Sequence, residues 1–456
     1  MRRQRNYEMD LCSGTMLPKI LRFTLPLVLT GVLQLLYNAA DVVVVGQFVG
    51  EEALAAVGST GALINLIINV FMGLGVGASV VIARAYGAGD YKAVHQGVHT
   101  AILVAAISGV VVGIAGFFLA RPLLRLMDNP DNVIDGATLY MKIYFLGMPA
   151  NMLYTFGASI LRAVGDTKRP LYYLSLSGLV NVGLNLFLVI VCHLGVEGVA
   201  IATVASQIVS MVLVLTCLMR SEGLIRLDPR KLRIHSRSFT DILRIGLPAG
   251  LQGSLFSISN VLIQSAVNSF GSVAMAGNAA AANLEGFIYT SMNAVYQADM
   301  TFSSANYGAK QYARVRRTLW LCLGTVTAIG LGLGMLFLLF GPTLLGIYNP
   351  NPEVIRFGMI RMSIILPTYF LCGLMDTMVG QMRGMGYSIV PMIVSLTGAC
   401  LLRIVWLYTF FAADPTLNTL YISYPISWGT TFLIHFLCYL YANHKMPRTA
   451  PDPTAA

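Results

Sequence analysis

Apolar residues run through this chain in long blocks rather than in alternation. They dominate twelve stretches, over residues 17–46, 53–83, 94–119, 137–160, 169–193, 197–220, 240–269, 275–302, 315–340, 355–382, 388–411 and 421–442. Each is long enough for an α-helix rising 1.5 Å per residue to cross the ~30 Å hydrocarbon core of a bilayer. The short alternating segments that build an outer-membrane barrel are absent. The pattern predicts an all-α integral membrane protein with twelve transmembrane helices.

The polar residues between the blocks alternate in character. One set of loops holds the N-terminal tail through Arg22, Arg84 to Lys92, Arg162 to Arg169, Arg220 to Arg244, Lys310 to Arg317, Arg383, and the tail with Lys445 and Arg448. It carries most of the 30 Lys and Arg. The other set is short and acidic or neutral, with Glu51, Glu52, Asp128, Asp131, Asp135, Glu197, Glu353 and Asp414. Basic loops stay in the cytoplasm, so both termini are expected inside the plasma membrane of a bacterium. The basic N-terminus leads into an apolar run too long for a signal peptide and without a cleavage site.

Composition sharpens this reading. Hydrophobic residues make up 56% of the 456, charged residues 11%, and mean hydropathy is +0.71. A soluble domain carries about 25% charged residues. The net charge of +10 therefore reads as a topology signal, not as a nucleic-acid footprint. The seven cysteines are scattered, with no CxxC and no metal spacing, so neither disulfides nor zinc are expected. Gly73-Leu74-Gly75-Val76-Gly77 lies in mid-span with no strand before it, which favours close helix packing over nucleotide binding.

The longest basic connection, from Arg220 to Asp241, divides the chain into six spans and six. The halves answer one another. Ile20-Leu21-Arg22-Phe23-Thr24-Leu25-Pro26 matches Ile242-Leu243-Arg244-Ile245-Gly246-Leu247-Pro248. Ala85-Tyr86-Gly87-Ala88-Gly89 matches Asn306-Tyr307-Gly308-Ala309-Lys310, and Leu161-Arg162-Ala163-Val164-Gly165 matches Met382-Arg383-Gly384-Met385-Gly386. Six is even, so the halves share orientation as a parallel repeat, with a cavity expected between them. The expected organisation is a tail (1–16), an N-terminal lobe (17–220), a linker (221–239), a C-terminal lobe (240–442) and a second tail (443–456).

Within the first span, Asp41 is the first acid in a lipid-compatible helix, a placement that costs a few kcal/mol and marks a functional group. Asn38-Ala39-Ala40-Asp41 with Val45-Gly46, the paired Tyr-Gly-Ala loops, and Leu161-Arg162-Ala163-Val164-Gly165-Asp166 before Pro170 resemble the multidrug and toxic compound extrusion (MATE) family, over about residues 17–442. The resemblance implies a secondary antiporter that exports organic, often cationic, compounds in exchange for protons or sodium ions, with no cofactor. Within the family the chain is closer to the DNA-damage-inducible-like branch. That branch couples through a span-one Asp, an Asn and an Asp one turn apart on span five, and a Thr on span six. Those positions read Asp41, Asn181, Asn185 and Thr203, with Asn185 departing from the Asp.

Depth supports the grouping, since Asp41, Asn185 and Thr203 fall within about one helical turn of one another in the outer half of the membrane. Asn181 and Asn185 share a face, and Tyr37 lies one turn below Asp41. In the second half, Glu285 and Arg403 are expected at matching depths and to pair. Asp299 and Asp376 lie near inner span ends, within reach of the interface. Glu285, Tyr140, Met148, Tyr154 and Met292 are candidates to line a substrate cavity, where aromatic rings and thioethers suit flat organic cations. The other partner expected is the lipid bilayer, with no nucleic acid and the chain a monomer. The alternative is a lipid or glycan-lipid flippase of the same superfamily, which should carry a more basic cavity. No nucleophile, base or metal constellation suggests an enzyme.

Overall fold

The computed structural model describes residues 7–126 and 131–447. Asp128, the first residues of the N-terminal tail (1–6) and the end of the C-terminal tail (448–456, with Arg448) lie outside the described residues. The described chain forms twelve helical spans. The first six are α1 (Met16–Phe48), α2 (Glu51–Gly87), α3 (Tyr91–Leu126), α4 (Asp131–Leu146 continued by Met148–Ala163), α5 (Lys168–Leu186 with a π turn, Phe187–Val191) and α6 (Val196–Arg220). The second six are α7 (Ser236–Asn268), α8 (Ser272–Gly308), α9 (Tyr312–Leu339), α10 (Pro352–Ile365 and Phe370–Gly384), α11 (Ile389–Ser395, a π turn Leu396–Leu401, then Leu402–Tyr408) and α12 (Leu417–His444).

Seven of these helices are long and apolar enough to cross a membrane on their own merits, and the two arms of α10, bent by 48°, make an eighth. The remaining spans fall short for visible reasons. α4 is interrupted at Gly147, where a Cβ would press on Val204 and Gln207 of α6. α8 carries Asn278, Glu285 and Asp299, all buried within its own half of the chain. The bend in α10 falls at Leu366-Pro367-Thr368, where proline removes a backbone donor. Outward-facing Leu25, Phe118, Leu179 and Leu339 are exposed, as suits side chains solvated by lipid.

The chain divides into two compact units. The N-terminal unit comprises residues 1–10 and 29–250, and the C-terminal unit comprises 11–28 and 251–456. In the N-terminal unit the start of α7 packs on α2 through glycines. A Cβ on Gly73 would overlap the backbone of Gly250, and one on Gly77 the backbone of Ile242. Backbones meet there because neither helix has a side chain in the way, the packing expected of the Gly73–Gly77 segment.

The repeat is written into the backbone. α1 and α7 are both 33 residues long, and α2 and α8 both 37. Positive φ angles recur at a spacing of 221 residues: Gly50 and Gly271, Gly89 and Lys310, Gly165 and Gly386. The last two pairs close helices in the same way. Gly89 N–H donates to Tyr86 O, and Asp90 N–H reaches back to Ala85 O. Lys310 N–H donates to Tyr307 O, and Gln311 N–H reaches back to Asn306 O. These are C-terminal caps that need a left-handed residue, which glycine adopts freely.

Candidate functional site

Asp41 lies seven residues before the end of α1 at Phe48, half-buried. Facing it from α5 are Asn181 and Asn185, one turn apart and both buried, as spacing on one helix face requires. Asn185 Nδ2 donates to Asp41 Oδ1 and also to Asn181 Oδ1, the latter at 3.3 Å. The other atom of that amide, Asn185 Oδ1, is buried and makes no hydrogen bond among the described residues. Directly after Asn185 the helix widens into the π turn of Phe187–Val191. π turns of this kind occur often at functional sites.

Tyr37 and Thr203 flank the cluster without joining its hydrogen bonds. The Tyr37 ring sits on Gly178, where a Cβ would overlap it, and its hydroxyl donates to Ser175 O at 3.2 Å. It fixes α1 against α5 one turn below Asp41. Ser177 Oγ donates to Ser206 O at 2.9 Å and sets the register of α5 on α6. That register brings Thr203 level with Asn181, but the Thr203 hydroxyl donates to Val199 O, one turn back on its own helix. Tyr140 on α4, stacked on Tyr144 with centroids 6.2 Å apart, is within electrostatic reach of Asp41. The site is thus one carboxylate, two amides and an unpartnered oxygen, with no cation of the protein in ion-pair contact with Asp41 among the described residues.

The C-terminal unit holds a different arrangement, and it corrects the expected Glu285–Arg403 pair. Glu285 is bound by Arg361 of α10 in a two-pronged contact, Nε to Oε1 at 2.8 Å and Nη2 to Oε2 at 2.7 Å. The remaining Arg361 nitrogen donates to Asn278 Oδ1 at 2.8 Å, and Tyr421 OH donates to the same oxygen at 3.0 Å. Arg403 instead donates from Nε to Ser427 Oγ at 2.8 Å and lies over Tyr424, 4.3 Å from the ring centroid. Its Nη2 is buried without a hydrogen-bond partner. Matching depth brought Glu285 and Arg403 to the same level; helix packing chose the partner, because α10 lies against α8. Arg361 was legible as a cation inside an apolar run, the same signal that singled out Asp41.

The other candidates divide. Met148 and Met292 are enclosed by protein rather than lining open space, the Met292 sulfur filling the gap between Gly330 and Gly373. Tyr154 OH donates to Pro170 O at 3.2 Å. Asp299 does not reach the interface: it is fully buried, and neither carboxyl oxygen has a hydrogen-bond partner among the described residues. Among the described residues no three His, Cys, Asp or Glu come together as a metal site.

Comparison with known proteins agrees with this architecture. The MatE family model matches residues 26–187 and 248–409, one copy in each half. The chain is 29% identical over 381 residues to the probable multidrug resistance protein YoeA of Bacillus subtilis, covering 82% of each chain. It is 27% identical over 390 residues to the probable multidrug resistance protein NorM of Thermotoga maritima, covering 83% of this chain and 82% of that one. Its fold superposes on an outward-facing multidrug resistance MATE family transporter with a TM-score of 0.89 at 22% identity, over 97% of this chain and 98% of the other. These likenesses reach the family and not the DNA-damage-inducible branch. The twelve-span, twice-repeated chain belongs to the MatE family, whose members are membrane transporters and not enzymes.

Proposed function

We propose that the protein is a secondary antiporter that exports drug-like organic compounds, cationic ones among them, in exchange for protons or sodium ions. The observation that carries the proposal is Asp41: an acid in a membrane helix whose partners are amides, beside a buried amide oxygen with nothing to bind. A carboxylate in that setting is neutralised by a mobile cation rather than by the protein. Asp41, Asn185 Oδ1 and Asn181 Oδ1 are hard oxygen ligands, suited to a proton on the carboxyl or to sodium.

Neutralising Asp41 removes its demand for the Asn185 amide. α1 and α5 are then free to repack, for instance by bending α1 at Pro26, and substrate leaves outward. The names of the relatives as multidrug resistance proteins support the substrate class. Orientation follows from the loop charges, with both termini cytoplasmic in the plasma membrane.

The assay is dye efflux from proteoliposomes with sodium and pH gradients imposed separately. Export driven by either gradient supports antiport; export that ignores both overturns it. In a background stripped of its native cysteines, Glu52→Cys should label with an impermeant thiol reagent from outside and Arg226→Cys should not. The reverse pattern overturns the orientation. One observation favours the flippase alternative. Arg403 leaves the C-terminal unit with a buried cation that no ion pair balances among the described residues. Movement of a fluorescent lipid diphosphate in the same proteoliposomes, absent in Arg403→Gln, would decide for it.

A further inference from the structure

A groove of about 840 Å³ runs along α9 in the C-terminal unit, walled on one side by Leu17, Leu21 and Val28 of α1. α9 lines it at every turn from Trp320 to Leu336, about 24 Å of helix. That exceeds the ~15 Å of hydrocarbon in one bilayer leaflet, so the groove can take a whole acyl chain.

Its floor is made by glycines that no helix uses. A Cβ on Gly324 or Gly332 would meet nothing within 4 Å. On another face of α9, a Cβ on Gly330 would meet Phe370 at 2.8 Å, and one on Gly334 would meet Leu366 O at 2.7 Å. Those two are packing glycines. Gly324 and Gly332 weaken the helix by roughly 1 kcal/mol each relative to alanine, and no neighbouring helix approaches to offset it. What they create is room, and in a membrane that room is filled by lipid.

The inner end of the groove is basic. Arg317 lies one turn before Trp320 and Leu321 on the groove face of α9, and Arg22 sits beside Leu21 on α1, about 100° round the helix from it, where a long side chain reaches the groove mouth. Both are exposed, and neither makes a hydrogen bond or ion pair with the described residues. Neither α9 nor α1 up to Val28 contains an acid. Trp320 is 59% exposed at the same level, the position of an interfacial aromatic. A cytoplasmic-leaflet lipid has its phosphate at that depth, and an anionic headgroup complements two partnerless arginines.

We propose that this groove binds an anionic phospholipid, one acyl chain lying over Gly324 and Gly332 and the phosphate held by Arg22 and Arg317. The lipid joins the 11–28 segment of α1 to α9 and stabilises the C-terminal unit.

The test uses the full-length protein in detergent with added phosphatidylglycerol or phosphatidylcholine, read by thermal melting and by native mass spectrometry. Wild type should melt higher with phosphatidylglycerol and retain it preferentially. Gly324→Leu with Gly332→Leu fills open space, so it should fold, melt at least as high without lipid, and lose the lipid-dependent shift. Gly324→Ala with Gly332→Ala is the milder variant should the leucines misfold, and should weaken the shift. Arg22→Gln and Arg317→Gln should each reduce the phosphatidylglycerol preference about fivefold and leave chain binding intact. A full shift in both groove-filled variants overturns the proposal. Equal shifts from the two lipids overturn the headgroup assignment. A dimer that the leucine variant converts to monomer would give the groove to a second copy of the chain and overturn the lipid reading.

Discussion

The two units share a backbone plan and treat two of their acids, Asp41 and Glu285, in opposite ways. In the N-terminal unit Asp41 meets the neutral amide of Asn185, which also donates to Asn181, and the Asn185 amide oxygen is left over. In the C-terminal unit Glu285 meets Arg361 in a two-pronged ion pair, tied in turn to Asn278 and Tyr421. The repeat position opposite Asp41 falls at Leu262 or Ile263, so the acid is not part of the scaffold the two halves share. A charge completed by the protein holds helices together. A charge that the protein leaves incomplete is available to an ion. On the proposed function, the contrast marks Asp41 as the carboxylate open to a coupling ion and Glu285 as the one already satisfied by the protein.

The contrast is open to direct attack. Asp41→Asn should fold and insert, since the amide is nearly isosteric and less costly to bury, yet lose gradient-driven efflux by at least about 100-fold because nothing remains to be neutralised. Efflux at the wild-type rate in proteoliposomes would move coupling to another group and erase the distinction. The opposite is expected of the C-terminal pair. Glu285→Leu or Arg361→Leu alone should destabilise the protein by about 3–5 kcal/mol, because the surviving charge is buried without a partner. The double Leu variant should recover most of that loss, so thermal melts across the cycle give a large coupling energy. Additive losses would show that the pair is not a unit.

Asn185→Asp is a subtler probe. It adds a second acid one turn from Asn181, strengthens attraction for a cation, and should raise the sodium dependence of efflux several-fold, read by titrating sodium at fixed pH. An unchanged sodium response would separate Asn185 Oδ1 from the ion. The smallest effect is expected from Thr203→Val. Its hydroxyl already serves Val199 O, so efflux should fall by less than about threefold. A loss as deep as that of Asp41→Asn would bring Thr203 into the ion shell.

Much of this was legible in the sequence, for physical reasons that can be named. Lipid demands long apolar helices, so the number of spans could be read from the apolar runs. Asp41 stood out because hydrocarbon makes an acid expensive. Asn181 and Asn185 share a face because a helix turns once in 3.6 residues. The partner of Glu285 was not legible. Depth can be counted along a chain, but which of two arginines at similar depth turns toward an acid depends on helix rotation and packing. The same limit applied to Met148 and Met292: a thioether suits a cavity and a core equally well, and only the neighbouring glycines decided that Met292 fills a core. The enclosed Asp299 shows the reverse error, because nearness to a span end was taken for access to water.

One turn carries a consequence beyond packing. Lys310 holds φ at 59° where its counterpart Gly89 holds 67°. A side chain there costs about 1 kcal/mol that glycine does not. The lysine is exposed, just past the end of α8, and the first turns of α9 after it carry Arg314, Arg316 and Arg317. In the proposed orientation its charge belongs to the basic address that keeps this connection on the cytoplasmic side. Replacing it with glycine would relax the turn while erasing a letter of that address. In that orientation, the strained turn carries a charge whose use comes while the nascent chain is sorted across the membrane.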